Sequence, residues 1–226
     1  METTAAQFNV QLEALRAPGG GIGMGQIFAL AKACMDMPPA EIESLLESPI
    51  HEVRVGAVSI MDWQARDRKT PADRRRALFD LYIRRHDRID TWDLVDRSAI
   101  WVVGEWLVDK PRDVLSTLAG SAAPMERRTA ILSTMAFIRR GDLDDTYRIA
   151  ERLLGDDQDL VHKAVGWMLR EAGKRDEPRL LTFLDAHAAT MPRVMLRYAI
   201  EKLDKDVRDR YLALGRKPAT RADAEG

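Results

Sequence analysis

Four residues carry side chains whose chemistry suits a cationic sugar next to a phosphate. Trp92 and Asp96 are four residues apart, which places them on one face of a helix, while Arg128 and Trp167 lie in two later helical segments. An indole face can contact a cation or a deoxyribose. A carboxylate can stabilise positive charge or orient a water molecule. A guanidinium can bind a phosphate through two parallel hydrogen bonds.

Each of these residues also has a purely structural explanation. Trp92 and Trp167 can be core tryptophans, Asp96 can pair with Arg97 or cap a helix, and Arg128 can belong to a solvated helix start. From the residues alone, the sequence therefore supports a binding surface and does not single out one reaction.

The elements that must position these residues are all predicted to be helices. Apolar residues recur at intervals of three and four along the chain, and no segment alternates with period two for the length of a strand. Prolines and glycines punctuate the segments, as at Pro71, Pro111, Gly141 and Pro178. Residues 92–107 read as one continuous helix, and so do residues 125–140. The sequence predicts an all-α fold.

A repeat underlies these helices. Five segments place a small residue directly before a hydrophobic run, at spacings of 43, 31, 34 and 35 residues, with a further helix between consecutive segments. This pattern is typical of HEAT-like helical pairs, whose inner helices stack and line a concave groove. We expect one HEAT-like α-solenoid domain over residues 1–213 and a disordered tail over 214–226. The five small residues are Gly56, Ala99, Ala130, Ala164 and Ala199.

Composition and charge exclude several classes of protein. The net charge is −1, but residues 1–62 hold three basic against eight acidic residues, whereas residues 64–88 hold nine basic against four acidic ones. The basic stretch is a candidate electrostatic surface for a polyanion. One cysteine, Cys34, and four scattered histidines argue against disulfides, a metal site and a metal cofactor. No segment has the length and apolarity of a membrane span or the pattern of a signal peptide, so we expect a cytoplasmic protein.

Three strings make the sequence resemble a known family. TWDLVD (91–96), ERRTAI (126–131) and HKAVGWMLREAGK (162–174) are similar to the corresponding motifs of the AlkD-type DNA alkylation repair glycosylases. The resemblance spans roughly residues 22–203 and implies a HEAT-like solenoid that binds duplex DNA in its groove. It also implies that Trp92, Asp96, Trp167 and Arg128 form the active-site cluster. The residues expected to contact DNA are Arg127, Lys163, Arg170 and Lys174.

The resemblance predicts an activity. We expect a monomeric glycosylase that hydrolyses the N-glycosidic bond of cationic N3- and N7-alkylated purines in duplex DNA, without base flipping, without a metal and without any other cofactor. Two alternatives remain open. One is a non-catalytic module on the same scaffold that binds nucleic acid or protein, favoured by the short, acidic front end. The other is a glycosylase for bulky adducts, which an open groove would admit.

Overall fold

The computed structural model describes residues 3–214, and within that range it contains helices and no strand. The chain divides into two compact units, Met1–Phe137 and Ile138–Gly226. The predicted all-α fold is therefore confirmed. Most of the predicted tail, residues 215–226, lies outside the described residues, and the last helix ends at Ala213.

The first unit is built from eight helices, joined by short turns. The first unit differs from the sequence-based prediction at residues 92–107, which do not form one continuous helix. After Ala99 the backbone widens into a π-helical turn, Ile100–Gly104, in which the Glu105 N–H donates to the Ile100 carbonyl at 2.9 Å. The helices are α1 (Ala5–Ala14), α2 (Met24–Ala33), α3 (Pro39–Leu46), α4 (His51–Arg66), α5 (Ala72–Arg84), α6 (Trp92–Ala99), α7 (Asp113–Ala119) and α8 (Pro124–Ser133), with a 3-10 turn at His86–Arg88.

The segment 125–140 is divided as well. A short helix, α9 (Met135–Ile138), follows α8 after one residue, where the periodicity predicts a single helix. Up to residue 214, the second unit then contains five further helices. They are α10 (Asp144–Arg152), α11 (Asp159–Gly173), α12 (Glu177–His187), α13 (Arg193–Ala199) and α14 (Lys205–Ala213).

The predicted repeat corresponds to the packing within each unit. In the first unit α2, α4, α6 and α8 pack one against the next, and in the second unit α11 packs against α13; we call these the inner helices. The five small residues of the repeat all lie on inner helices, and all are buried. At Gly56 a Cβ would overlap the Phe8 ring, and at Gly166 it would overlap the Met195 carbonyl oxygen. Small residues are needed there because neighbouring helices approach closely.

The end of the basic stretch pairs with acidic residues from the front of the chain. The Arg84 guanidinium lies 2.6 Å from Glu43, and Arg85 pairs with Glu43 and Glu47 on α3. Arg88 donates to the carbonyl oxygens of Leu46, Glu47 and Ser48 at 3.0–3.2 Å, which satisfies the last carbonyls of α3. Much of the predicted electrostatic surface at 64–88 is therefore used within the first unit.

No helix in residues 3–214 is long and apolar enough to cross a membrane. The same residues contain no group of three or more histidine, cysteine or acidic side chains arranged to hold a metal ion. Cys34 is buried and makes no disulfide.

Candidate active site on the inner helices of the first unit

Asp96 and Arg128 form the centre of the candidate site. The Arg128 Nε donates to one carboxylate oxygen of Asp96 at 2.7 Å, and its Nη2 donates to the other at 2.8 Å. Asp96 lies on α6 and Arg128 on α8, and these two inner helices pack directly. The Arg128 side chain is 6 % exposed, whereas that of Asp96 is 24 % exposed. The pair therefore fixes the orientation of a carboxylate that still reaches solvent.

This geometry removes two structural explanations. Asp96 does not pair with its neighbour Arg97, and Arg128 is buried instead of lying in a solvated helix start. From the sequence, the guanidinium of Arg128 is predicted to bind a phosphate. In the structure two of its donors hold Asp96.

Thr129, the residue after Arg128, is fully buried and lies in a small polar layer. Its hydroxyl is 3.1 Å from the Tyr82 hydroxyl and 2.8 Å from His86 Nε2. Burial raises the pKa of Tyr82, and the nearby Asp96 charge acts in the same direction. Burial also lowers the pKa of His86. The layer next to the ion pair therefore consists of neutral groups at physiological pH, which adds rigidity without competing for the Asp96 charge.

Trp92 is the first residue of α6 and is 51 % exposed. It precedes Asp96 by four residues, so both side chains belong to one face of the helix. A core role for Trp92 is excluded, because half of a large apolar side chain is open to solvent. An exposed indole one turn from an oriented carboxylate provides a surface for a sugar or a cation.

The start of α6 is fixed to α4 by a pair that the sequence reasoning missed. His51 Nε2 is 2.8 Å from Asp93 Oδ2, and the Thr91 hydroxyl donates to Asp93 Oδ1 at 2.7 Å. Burial alone would raise the pKa of Asp93, but the hydrogen bonds from Thr91 and His51 lower it. His51 and Asp93 are 42 residues apart, and their only sequence signal is that each lies in the first turn of an inner helix.

A second set of contacts joins α6 to α4 one turn further along. Arg97 Nη2 lies 3.1 Å from Asp62, and Arg97 Nε donates to the Ser59 hydroxyl at 3.2 Å. Asp62 is fully buried and also accepts from Arg66 Nε. Burial raises the pKa of Asp62 and lowers that of Arg97, while their mutual attraction opposes both shifts. Charged contacts therefore hold α6 on both sides, towards α4 and towards α8.

The remaining predicted residues lie elsewhere. Trp167 belongs to the second unit, half-buried on α11, and shares a helical face with Lys163, Arg170 and Lys174. Arg170 pairs with Glu171 and Glu201, and Lys174 lies 2.8 Å from Glu171. Arg127, in the first unit, donates to the carbonyl oxygens of Ser121 and Ala122 at 2.9 Å. The structure thus brings Trp92, Asp96 and Arg128 together in the first unit.

The helices form pairs that stack through their inner helices, and one inner helix carries a paired carboxylate and an exposed indole. These features define a helical-repeat protein with a polar site. A family model described as DNA alkylation repair enzyme matches residues 16–203. The chain belongs to this family of DNA alkylation repair enzymes, and the resemblance drawn from the three motifs is confirmed at that level.

A solved structure supports the fold. The chain is similar to a predicted DNA alkylation repair enzyme from Enterococcus faecalis, with a TM-score of 0.64 and 17 % sequence identity over 91 % of this chain and 99 % of that chain. At this identity the likeness concerns the fold. No curated protein matches the chain.

Proposed function

We propose that the protein is a DNA glycosylase that hydrolyses the N-glycosidic bond of cationic N3- and N7-alkylated purines in duplex DNA. The observation that carries the proposal is the Asp96 carboxylate, which is partly exposed, held at both oxygens by the buried Arg128, and one helical turn from the exposed Trp92. Membership in a family of DNA alkylation repair enzymes supplies the substrate class.

The chemistry needs little beyond these groups. An alkylated purine already carries a positive charge, so it leaves without protonation. Breaking the bond between the sugar C1′ and the ring nitrogen gives the electron pair to the base, which becomes neutral, and leaves an oxocarbenium-like sugar. Water then adds to C1′ and releases a proton. The fixed Asp96 charge stabilises the sugar cation, and the Trp92 face adds cation–π attraction.

Arg128 acts through Asp96 in this proposal. A carboxylate tethered at both oxygens by a guanidinium on the neighbouring helix does not rotate, so it faces the developing cation without reorganising. Trp167 is proposed as a second indole against the sugar, and Arg170 as a contact to the DNA backbone, as the resemblance implies. Arg127, Lys163 and Lys174 are proposed as further contacts to the backbone.

The exposed position of Trp92 also bears on how the lesion is reached. Its indole stands at the first residue of α6, open to solvent. A surface of this kind contacts the sugar of a lesion that stays in the duplex. Base extrusion instead requires a pocket that encloses the base. We therefore propose that the enzyme acts without flipping the base.

The test is release of free 7-methylguanine and 3-methyladenine from methylated duplex DNA by the wild type and by Asp96→Asn. We expect release by the wild type and a loss of about 100-fold or more in the variant, because the stabilising charge is removed while the Asn amide oxygen can still accept one of the two hydrogen bonds from Arg128. Asp90→Asn is the matched control: Asp90 is an exposed carboxylate before α6 that pairs with Arg54, and its variant should retain activity.

The outcomes separate the alternatives. Equal release by the wild type and Asp96→Asn would keep the glycosylase and reject the role of Asp96. No release by a folded wild type would reject the proposal for methylated purines. The same assay on duplexes with bulky cationic N7 adducts then distinguishes a bulky-adduct glycosylase, which releases the adduct, from a non-catalytic binding module, which releases nothing.

A further inference from the structure

Trp63, on α4, has three cationic side chains close to its indole ring. The Lys32 Nζ lies 4.8 Å from the centre of the ring, Arg97 Cζ lies 5.1 Å from it and Arg66 Cζ 5.5 Å. The Trp63 Nε1–H donates to the Phe28 carbonyl at 3.3 Å, which fixes the ring between α2 and α4. We call Lys32, Trp63 and Arg66 the Trp63 cluster.

The three cations near the ring differ in what they contact. Arg97 is half-buried, stacks on the Phe28 ring at 4.5 Å and pairs with Asp62, so its role is internal. Arg66 pairs with the same Asp62 but is 36 % exposed. Lys32 is exposed and makes neither a hydrogen bond nor an ion pair with the described residues. The buried Asp62 carboxylate thus pairs with two guanidiniums, and the Lys32 ammonium adds to the excess of positive charge.

The Trp63 cluster lies on α2 and α4, and α4 packs directly against α6, which carries the candidate active site. On α4, His51, Asp62 and Arg66 fall within one helical stripe, and Asp62 faces Arg97 on α6. Arg97 directly follows Asp96 in the chain, and Arg66 also stacks on the Trp101 ring at 4.9 Å. A series of side-chain contacts therefore runs from Arg97 on α6 through Asp62 and Arg66 on α4, and Trp63 links α4 to Lys32 on α2.

The position of Lys32 matters because residues 1–62 are predominantly acidic. Residues 1–62 contain three basic residues, of which Arg54 pairs with Asp90 and Arg16 with Glu13. Lys32 is the remaining one, and it stands over a tryptophan that is fixed in position. A cation beside a rigid indole is suited to a sugar–phosphate chain, in which the phosphate takes the charge and the sugar or a base lies on the ring.

We propose that the Trp63 cluster is a contact site for the DNA backbone, with a phosphate held by Lys32 and Arg66 and the adjoining nucleotide against Trp63. The inference rests on the proposed function, because it places the contact relative to the lesion at Asp96. Neighbouring packed helices are about 8–10 Å apart, so one or two helix steps from α6 correspond to roughly two to six nucleotides along a strand. The phosphates contacted lie at that distance from the lesion.

The experiment measures DNA affinity against salt concentration for the full chain. The probe is a fluorescent duplex with one tetrahydrofuran abasic site. We expect Lys32→Gln to lower the slope of log K against log salt by about 1, since one phosphate contact is lost. Trp63→Leu should weaken binding about 10-fold or more. Lys32 is exposed, so its variant keeps the proposal testable even where Trp63→Leu unfolds.

Lys110→Gln is the matched control. Lys110 also lies over a tryptophan, 4.0 Å from the centre of the Trp106 ring, but Asp109 at 2.5 Å already neutralises it. Its variant should keep the wild-type slope. A slope unchanged in Lys32→Gln, or lowered equally in Lys110→Gln, would overturn the assignment.

A second arm locates the contact. A single uncharged methylphosphonate is placed in turn at each position two to six nucleotides from the abasic site. At the contacted position it should weaken DNA binding by the wild type. It should weaken binding by Lys32→Gln much less, because that variant has already lost the ammonium that binds the phosphate. Equal weakening in both proteins rejects the Lys32 contact. Failure of the proposed function is read from base release: a wild type that releases no base has failed it, whether or not it binds the duplex. Failure of this inference instead leaves base release intact and the salt slope of Lys32→Gln equal to that of the wild type.

Discussion

Helices α6 and α11 each carry a tryptophan and several charged side chains, but they hold those charges differently. On α6, Asp93, Asp96 and Arg97 each pair with a residue on a neighbouring inner helix, and two of those partners, Asp62 and Arg128, are buried. On α11, Lys174 pairs with Glu171 on its own helix, and Arg170 pairs with Glu171 and the exposed Glu201.

This difference in pairing suits the two helix faces to different tasks. Partly buried pairs between helices resist reorientation, because losing one partner leaves a charge without solvent or counter-ion. Pairs with one solvent-exposed partner, such as Arg170–Glu201 and Lys174–Glu171, are worth about 0–1 kcal/mol and exchange readily for another anion. The α6 face is therefore suited to a carboxylate that must not move, and the α11 face to a backbone whose phosphates displace acidic side chains.

Breaking the Asp96–Arg128 pair should give the largest effect on stability. Arg128→Met removes both hydrogen bonds to Asp96 and leaves the carboxylate beside an apolar side chain. We expect about 2–3 kcal/mol lower free energy of unfolding, below the value for a fully buried pair because Asp96 reaches solvent. Urea denaturation measures the loss. Arg127→Met, which removes bonds to two loop carbonyls, should cost less, and equal losses would contradict the comparison.

The polar layer next to this pair should make stability depend on pH. Burial lowers the pKa of His86, so the unfolded chain, in which histidine titrates near pH 6.5, takes up this proton before the folded one. The contribution of His86 is therefore fully present above about pH 6.5 and is lost as the pH falls below it, by at most about 1.4 kcal/mol per pH unit.

Thermal unfolding between pH 7 and pH 5 tests this expectation. His86→Gln should flatten that part of the profile relative to the wild type. His51→Gln serves as the comparison, since His51 is partly exposed and bonds to a carboxylate. A wild-type profile that His86→Gln leaves unchanged would show that His86 is not the group that titrates.

Releasing a cation on the α11 face should give the smallest effect on stability. Glu201→Gln removes the exposed partner of Arg170, which keeps its contact with Glu171, and it also frees Lys202. The free energy of unfolding should therefore change by less than about 0.5 kcal/mol. DNA affinity should rise, and its salt slope should steepen by about 1, because a cation becomes available to phosphate. Asp209→Asn frees Lys205 on α14 in the same way and should leave the slope unchanged. A larger loss of stability in Glu201→Gln would show that this face is as fixed as that of α6.

Local periodicity was enough to predict the helices and their repeat. Gly56, Ala99, Ala130, Ala164 and Ala199 mark the inner helices because small buried residues are required where helices approach closely. The predicted helices at 92–107 and 125–140 were too long, because a π-helical turn and a one-residue break keep the apolar spacing nearly unchanged. Periodicity alone does not report such irregularities.

The sequence did not predict which residues form pairs between helices. Asp96 had Arg97 beside it and Arg128 32 residues away, and the structure pairs it with the distant one. Arg97 instead reaches back to Asp62, and His51 reaches Asp93 across 42 residues. Spacing shows which residues share a helical face, but not which neighbouring helix that face meets.

By itself, the sequence determined an all-α chain, the residues of its inner helices, its family and the shared face of Trp92 and Asp96, because these follow from short-range periodicity and local motifs. Only the tertiary structure decided that Arg128 is buried against Asp96, that Trp92 is exposed, and that Arg84, Arg85 and Arg88 of the basic stretch meet α3 and the residues just after it. Those outcomes depend on which helix ends and faces meet in space. A charge's role is set by the partner it meets and by how far water is excluded from the pair.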